Sequence, residues 1–234
     1  MTRQLRVLVV IPAWNEEASI TGVVQEVQRT LADADVLVVD DGSTDQTGSR
    51  AREAGAIVAR LPYNLGVGGA MRLGFRYAVK GDYDAVVQID ADGQHDPAFV
   101  PQLLDRIVAG ADLVIGARFA GVGDYAARGP RRWAMALLSI VLSHIAGTRL
   151  TDSTSGMRAT SRRLIELFAR QYPVEYLGDT VETLAMAARR DFRIEQVPVA
   201  MRVRATGKPS HAFGMATVYL GRALIVLVLS LIRR

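Results

Sequence analysis

Asp90 and Asp92, separated by one alanine, sit where the apolar run Ala85 to Ile89 gives way to Gly93-Gln94-His95-Asp96. A turn at a strand end aims both carboxylates at one point. Hard oxygen donors of this kind suit Mg2+ or Mn2+. These ions take few protein ligands and fill the rest of their shell with water and diphosphate oxygens, so two carboxylates and the amide of Gln94 suffice. The competing explanation is a capping cluster for the helix opened by Asp96-Pro97. Asp96 meets that need alone, which leaves Asp90, Asp92 and Gln94 over.

Two further polar stretches follow apolar runs: Pro12-Ala13-Trp14-Asn15-Glu16-Glu17 and Asp40-Asp41-Gly42-Ser43-Thr44-Asp45. Turn chemistry and a helix cap at Thr44 or Asp45 account for much of the second, though not for Asp40 and Asp41 together. A carboxylate there has the chemistry to accept hydrogen bonds from a ribose or a nucleobase edge. Asn64-Leu65-Gly66-Val67-Gly68-Gly69-Ala70 is glycine-rich, but it lacks the lysine of a phosphate loop and the spacing of a dinucleotide fingerprint; it reads as close packing where a helix begins. Without a single cysteine, disulfides, thiolate-zinc sites and thiol nucleophiles are excluded.

The elements that must position these residues follow from hydrophobic periodicity. Short apolar runs at Val7 to Ile11, Val36 to Val39, Ile57 to Leu61, Ala85 to Ile89, Leu113 to Ile115 and Ile194 to Val197 alternate with helix-period segments at Ser19 to Leu31, after Asp45 to near Gly55, Gly68 to Lys80, Asp96 to Gly110 and Thr180 to Arg190. Strands alternating with helices make a largely parallel sheet, and such sheets bind ligands beyond the carboxyl ends of their strands, where the three acidic stretches fall. Phe119 to Gly129 reads as a loop able to close over a substrate or as an ordinary surface loop, and Arg131 to Ala146 as a helix apolar around much of its circumference.

Half of the 234 residues are hydrophobic, enough for a core on both faces of the sheet, and one large domain is the simplest organisation. The start shows no secretory signal. All but two of the 28 basic residues are arginine, a bias that fits phosphorylated ligands or anionic lipid and that a genomic preference would equally produce. No nucleic-acid partner is expected. Residues 1–211 are assigned to one α/β domain and 212–234 to an apolar C-terminal helix. The unbroken run Ala223 to Ile232 falls short of the roughly 20 apolar residues that span a bilayer. Extending it back to Ala212 buries Arg222 near the membrane centre at about 2.5 to 3.5 kcal/mol. A helix lying on the membrane surface, or packed against an integral membrane partner or a second copy in a homodimer, is favoured over a span.

Together, Ile11-Pro12-Ala13-Trp14-Asn15-Glu16, Val39-Asp40-Asp41-Gly42-Ser43-Thr44-Asp45 and Asp90-Ala91-Asp92-Gly93-Gln94-His95 resemble the family 2 glycosyltransferases, and within them the dolichyl- and polyprenyl-phosphate mannose and glucose synthases. The resemblance runs over about residues 5 to 210 and implies the GT-A fold, an α/β architecture with a mostly parallel central sheet flanked by helices. It implies that Pro12, Trp14 and Glu16 border the nucleobase, that Val39 and Asp41 line the base or ribose site, and that Asp90, Ala91, Asp92 and Gln94 form the metal and diphosphate site. Arg118 and Arg131 match arginines near the reacting phosphates. Ser155 lies in the acceptor-side motif Asp152-Ser153-Thr154-Ser155-Gly156-Met157-Arg158, where Met157 replaces a common phenylalanine. Arg204 and Lys208 fall in a diphosphate-binding loop that is one residue longer here before its serine and carries His211 in place of lysine.

The expected reaction is an inverting transfer of a sugar from GDP-mannose or a UDP-sugar to a polyprenyl or dolichyl phosphate at the cytoplasmic face of the membrane. A phosphate acceptor is already anionic and needs no base. If a hydroxyl accepts instead, Asp179 in Gly178-Asp179-Thr180 is the candidate base, with a plain helix cap as its alternative. A non-catalytic nucleotide-sugar-binding partner is the reading from another class.

Overall fold

The computed structural model describes residues 5–118, 143–144, 147–148, 150–152, 155–173 and 178–202. In chain order these form β1 (Val7–Ala13), α1 (Ile20–Thr30), β2 (Asp35–Asp40), α2 (Thr47–Glu53), β3 (Ile57–Arg60), α3 (Gly66–Lys80), β4 (Ala85–Gln88), a 3-10 turn (Pro97–Phe99), α4 (Val100–Val108), β5 (Leu113–Arg118), β6 (Arg158–Ser161), α5 (Arg162–Gln171), α6 (Gly178–Ala188) and β7 (Ile194–Val199). The strands make one seven-stranded sheet in the order β3-β2-β1-β4-β6-β5-β7. All neighbours run parallel except β6, which is antiparallel to β4 and β5.

Alternation along each strand sorts the core into two layers. Val7, Val9 and Ile11 of β1 and Val36 and Val38 of β2 face α1, α2 and α4, meeting Ile20, Val24, Val27, Ala51 and Leu103. Leu8, Val10, Leu37 and Val39 face the other way, toward Met71 and Phe75 of α3, Leu164 and Phe168 of α5 and Leu184 of α6. Burial of both faces explains why β1 and β2 read as unbroken apolar runs rather than alternating ones. The second layer is anchored by Phe75, Phe168 and Tyr172, whose ring centroids lie 5.1 to 5.2 Å apart.

The sequence reading misses β6 and α5. Arg158-Ala159-Thr160-Ser161 contains no large aliphatic, yet it fills the gap between β4 and β5, pairing Gln88 with Arg158 on one side and Ile115 with Arg158 on the other. Backbone ladders supply what the side chains do not. α5 did carry a readable signal in Leu164, Ile165 and Phe168, all buried. Asp96 caps its turn as expected, its Oδ1 accepting from Ala98 N at 2.9 Å, although the first turn is 3-10.

Candidate active site

Because β1, β2, β4 and β5 run parallel, the loops that follow them share one edge of the sheet. β6 begins at that edge, so Ser155, Gly156 and Met157 enter it from the opposite chain direction. The first two loops are laced together. Asn15 N donates to Ser43 Oγ at 3.0 Å, Glu16 N to Thr47 Oγ1 at 2.8 Å, and Thr44 N to Asn15 Oδ1 at 2.9 Å. Asn15 takes a positive φ of 54°, a conformation that asparagine tolerates and most residues do not. At Gly42, where φ is +71°, a β-carbon would come within 2.7 Å of the Tyr63 backbone, so the loop before α3 lies directly on the Asp40–Asp45 turn.

Asp41 is buried, and both its oxygens face the start of α3, accepting from Leu65 N at 2.7 Å and Gly66 N at 2.8 Å. Burial raises its carboxyl above the ordinary range, against the lowering effect of those two N–H groups. Asp45 moves the other way. Burial pushes it up, but hydrogen bonds from the Thr47 side chain and backbone and from Glu17 N outweigh that and hold it low. Asp45 rather than Thr44 thus serves the start of α2.

Around Asp90 the geometry is closer still. Its backbone N–H donates to His95 Nδ1 at 3.0 Å, Gln88 Nε2 donates to its Oδ1 at 3.3 Å, and its Oδ2 lies 3.6 Å from His95 Nε2. Gly156 presses on the carboxylate from β6's side: a β-carbon there would sit 2.7 Å from Oδ1 and closer to Oδ2. Asp92 Oδ1 accepts from Gln94 N at 3.0 Å, closing the turn, with Gly93 at φ +76°. Gln94 is tied to the segment leaving β7. Its carbonyl accepts from Arg202 N at 3.0 Å and its Nε2 donates to the Arg202 carbonyl at 3.4 Å, while the Arg202 guanidinium pairs with Glu26 and Asp96.

Of the sequence-predicted residues, Asp90, Asp92 and Gln94 share one turn, Ser155 precedes the Gly156 that abuts Asp90, and Trp14, Glu16 and Asp41 lie on the adjoining loops. Trp14 is 51% exposed. Pro12, Val39 and Ala91 are buried, and Val39 packs in the second core layer with its backbone registered against both β1 and β3. Ser155 is buried, its hydroxyl accepting from Met157 N and its carbonyl from Arg158 Nε. Arg118 ends β5, and Asp179 lies at the start of α6, their side chains outside the described set. Arg131, Arg204 and Lys208 lie outside the described residues, as does the apolar stretch 212–234. Among the described residues no helix is long and apolar enough to cross a membrane, and no group of three or more His, Asp or Glu gathers to hold a metal; the Asp90–Asp92 turn offers two carboxylates beside the Gln94 amide.

Gln88, Gly156 and His95, the residues that hold Asp90, are not among the site residues expected from the sequence. Gln88 had a visible signal, a polar residue inside the buried run Ala85 to Ile89. Gly156 and His95 stand within the recognised motifs, yet their action on Asp90 had no signal there, since each reaches it only through the fold.

A mostly parallel sheet with loops from its β1, β2 and β4 ends converging on an acidic turn is the GT-A type of nucleotide-sugar transferase fold. The chain overlays glucosyl-3-phosphoglycerate synthase from Mycobacterium tuberculosis, in complex with phosphoglyceric acid, with a TM-score of 0.73 at 26% identity, covering 97% of this chain and 80% of that one. The same enzyme in complex with Mn2+, uridine diphosphate and phosphoglyceric acid gives 0.72 at 26% identity, over 97% and 78%. Residues 8–168 match Glycosyl transferase family 2, and the chain belongs to that family as a glycosyltransferase. Among its relatives, undecaprenyl-phosphate mannosyltransferase of Micrococcus luteus is 35% identical over 223 residues, covering 90% of this chain and 89% of the relative. Polyprenol monophosphomannose synthase of Mycolicibacterium smegmatis is 31% identical over 211 residues, covering 86% and 79%.

Proposed function

We propose that this enzyme transfers a sugar, mannose first among the candidates, from a nucleoside diphosphate donor to a polyprenyl phosphate at a membrane surface, with inversion at the anomeric carbon. Two relatives named for polyprenyl-phosphate mannosyl transfer, each matched over more than three quarters of its length, support the acceptor class. The observation that carries the reading is the meeting of Asp90 with the Ser155–Arg158 segment across the sheet edge, which brings a donor-side carboxylate against the acceptor-side motif.

Asp90, Asp92 and the amide oxygen of Gln94 would hold Mg2+ or Mn2+. The donor set fits: hard oxygens, both aspartates partly open to solvent, and an amide whose nitrogen is turned to Arg202. When bound, the cation neutralises charge developing on the departing diphosphate. The chain's own residues do the rest. Trp14 offers an exposed aromatic face to a base, with Glu16 and Asp41 on the adjoining loops, although both Asp41 oxygens already accept from α3. Arg118, Arg131, Arg204 and Lys208 are the cations proposed for the two phosphate groups, giving electrostatic stabilisation that grows as the bond to the leaving group lengthens. A lipid phosphate oxygen is anionic, so the displacement needs no base. Solved neighbours in complex with phosphoglyceric acid favour a second reading in which a hydroxyl accepts and Asp179 takes its proton.

Incubation of the purified chain with labelled GDP-mannose or UDP-glucose and a polyprenyl phosphate tests the first reading. Label in a lipid that is released by mild acid is the expected result. Label appearing only in a water-soluble, acid-stable glycoside overturns it in favour of the hydroxyl acceptor. Calorimetry of GDP and UDP with and without Mn2+ tests the cation: equal affinity in both conditions, matched by Asp92→Asn, removes it.

A further inference from the structure

We propose that His95 is a positioning residue for Asp90, fixing the rotamer of its carboxylate through a neutral imidazole whose proton sits on Nε2; this rests on the cation site proposed above. His95 is 3% exposed, beneath the Asp90–Gln94 turn. Its Nδ1 accepts the Asp90 backbone N–H at 3.0 Å, and a nitrogen that accepts carries no proton. The ring proton is therefore on Nε2. That atom is buried without a hydrogen-bond partner, and Asp90 Oδ2 lies 3.6 Å away. A buried donor left unsatisfied is costly, and this gap exceeds ordinary N–H···O bonding by a few tenths of an ångström. A small rotation of the half-open Asp90 carboxylate closes it.

The imidazole then grips one residue twice, at its amide and at its carboxylate, so that the ring fixes the side chain relative to its own backbone. Gln88 Nε2 approaches the other oxygen at 3.3 Å. Both donors are neutral. An arginine or lysine in their place would fix the carboxylate equally well but cancel the charge that attracts a cation. Two neutral donors orient Asp90 and leave its charge intact, which is the usual task of groups standing behind a metal ligand.

The test uses the full chain. Nitrogen-15 NMR of the histidine rings, with the His95 signal assigned by its loss in His95→Asn, is expected to show the Nε2–H tautomer; an Nδ1–H tautomer or an imidazolium at neutral pH overturns the proposal without requiring any variant to be active. His95→Asn keeps an acceptor near the position of Nδ1 and removes the Nε2 donor. With GDP or UDP as the nucleotide, Mn2+ affinity measured by electron paramagnetic resonance is expected to fall about 10- to 100-fold, the range for groups that orient a ligand, at an unchanged melting temperature. In an Asp90→Asn background the same substitution should cost nothing further, because His95 acts through Asp90. An equal loss in both backgrounds, or Mn2+ affinity within about twofold of the parent, overturns the proposal. Should the parent and Asp92→Asn both bind nucleotide independently of Mn2+, the cation reading falls by itself. His95 is then judged by the tautomer and by transfer from GDP-mannose or UDP-glucose, where a lower kcat at unchanged donor KM supports positioning and an unchanged kcat refutes it.

Discussion

Replacing Gly156 by alanine adds one carbon at the place where β6's entry meets Asp90. The backbone there does not adopt a positive φ, so alanine brings no conformational strain and the effect is steric. The new β-carbon would lie 2.7 Å from Asp90 Oδ1 and 2.9 Å from Cγ, whereas ordinary contact begins at 3.4 Å. Oδ2 lies closer still, so the carboxylate must retreat by about 1 Å, and a displacement of about 1 Å in a reacting geometry costs on the order of 100-fold in rate. Because Asp90 is 38% exposed it can swing outward, so the cost in stability should stay near the low end for overpacking, about 1 kcal/mol. The expected outcome is a loss of about 10- to 100-fold in kcat/KM, equivalent to about 1.4 to 2.7 kcal/mol of transition-state stabilisation, with a melting curve close to that of the parent. Steady-state transfer from a labelled nucleotide-sugar, alongside thermal melts, measures both. If Gly156→Ala keeps the parental kcat/KM while Asp90→Asn is inactive, the close approach of Gly156 does not set the place of Asp90, and the reasoning fails.

Asp41→Ala removes the acceptor for Leu65 N and Gly66 N at the start of α3, and should lower stability by about 1 to 2 kcal/mol in urea unfolding, as the loss of a helix cap does. Asp45 has a lowered folded pKa, so its stabilising contribution is present above the ordinary value of 3.8 and disappears as pH falls through the lower folded value. The difference in urea midpoint between the parent and Asp45→Ala should therefore be clear at neutral pH and vanish well below 3.8. Phe168→Ala opens a cavity in the Phe75–Phe168–Tyr172 cluster and should cost about 3 to 5 kcal/mol by equilibrium unfolding. Its activity per folded molecule should match the parent's, since the cluster packs in the second core layer.

Much of the fold is legible in local pattern because its strands are buried on both faces and its helices on one. Val7 to Ile11 and Val36 to Val39 could hardly be anything but inner strands, and the spacing of Ile20, Val23, Val24 and Val27 announces α1 with its buried stripe. Parallel order then puts the loops after β1, β2 and β4 at one edge, so the neighbourhood of Asp41, Asp90 and Asp92 follows from sequence alone. β6 does not follow. Arg158-Ala159-Thr160-Ser161 is a strand only because β4 and β5 offer it ladders on both sides, a condition set by residues 43 or more positions away in the chain.

The roles inside the site divide on the same line. Residue type and spacing determined that a pair of carboxylates follows β4, with the hard oxygens that the proposed cation needs. Only the tertiary structure decided what each acid does. It turned both Asp41 oxygens to the amides that open α3, buried Val39 between two strands, and surrounded Asp90 with Gln88, His95 and Gly156. The reason is physical: a carboxylate's charge belongs to its residue type, whereas its orientation belongs to neighbours that the chain assembles only on folding.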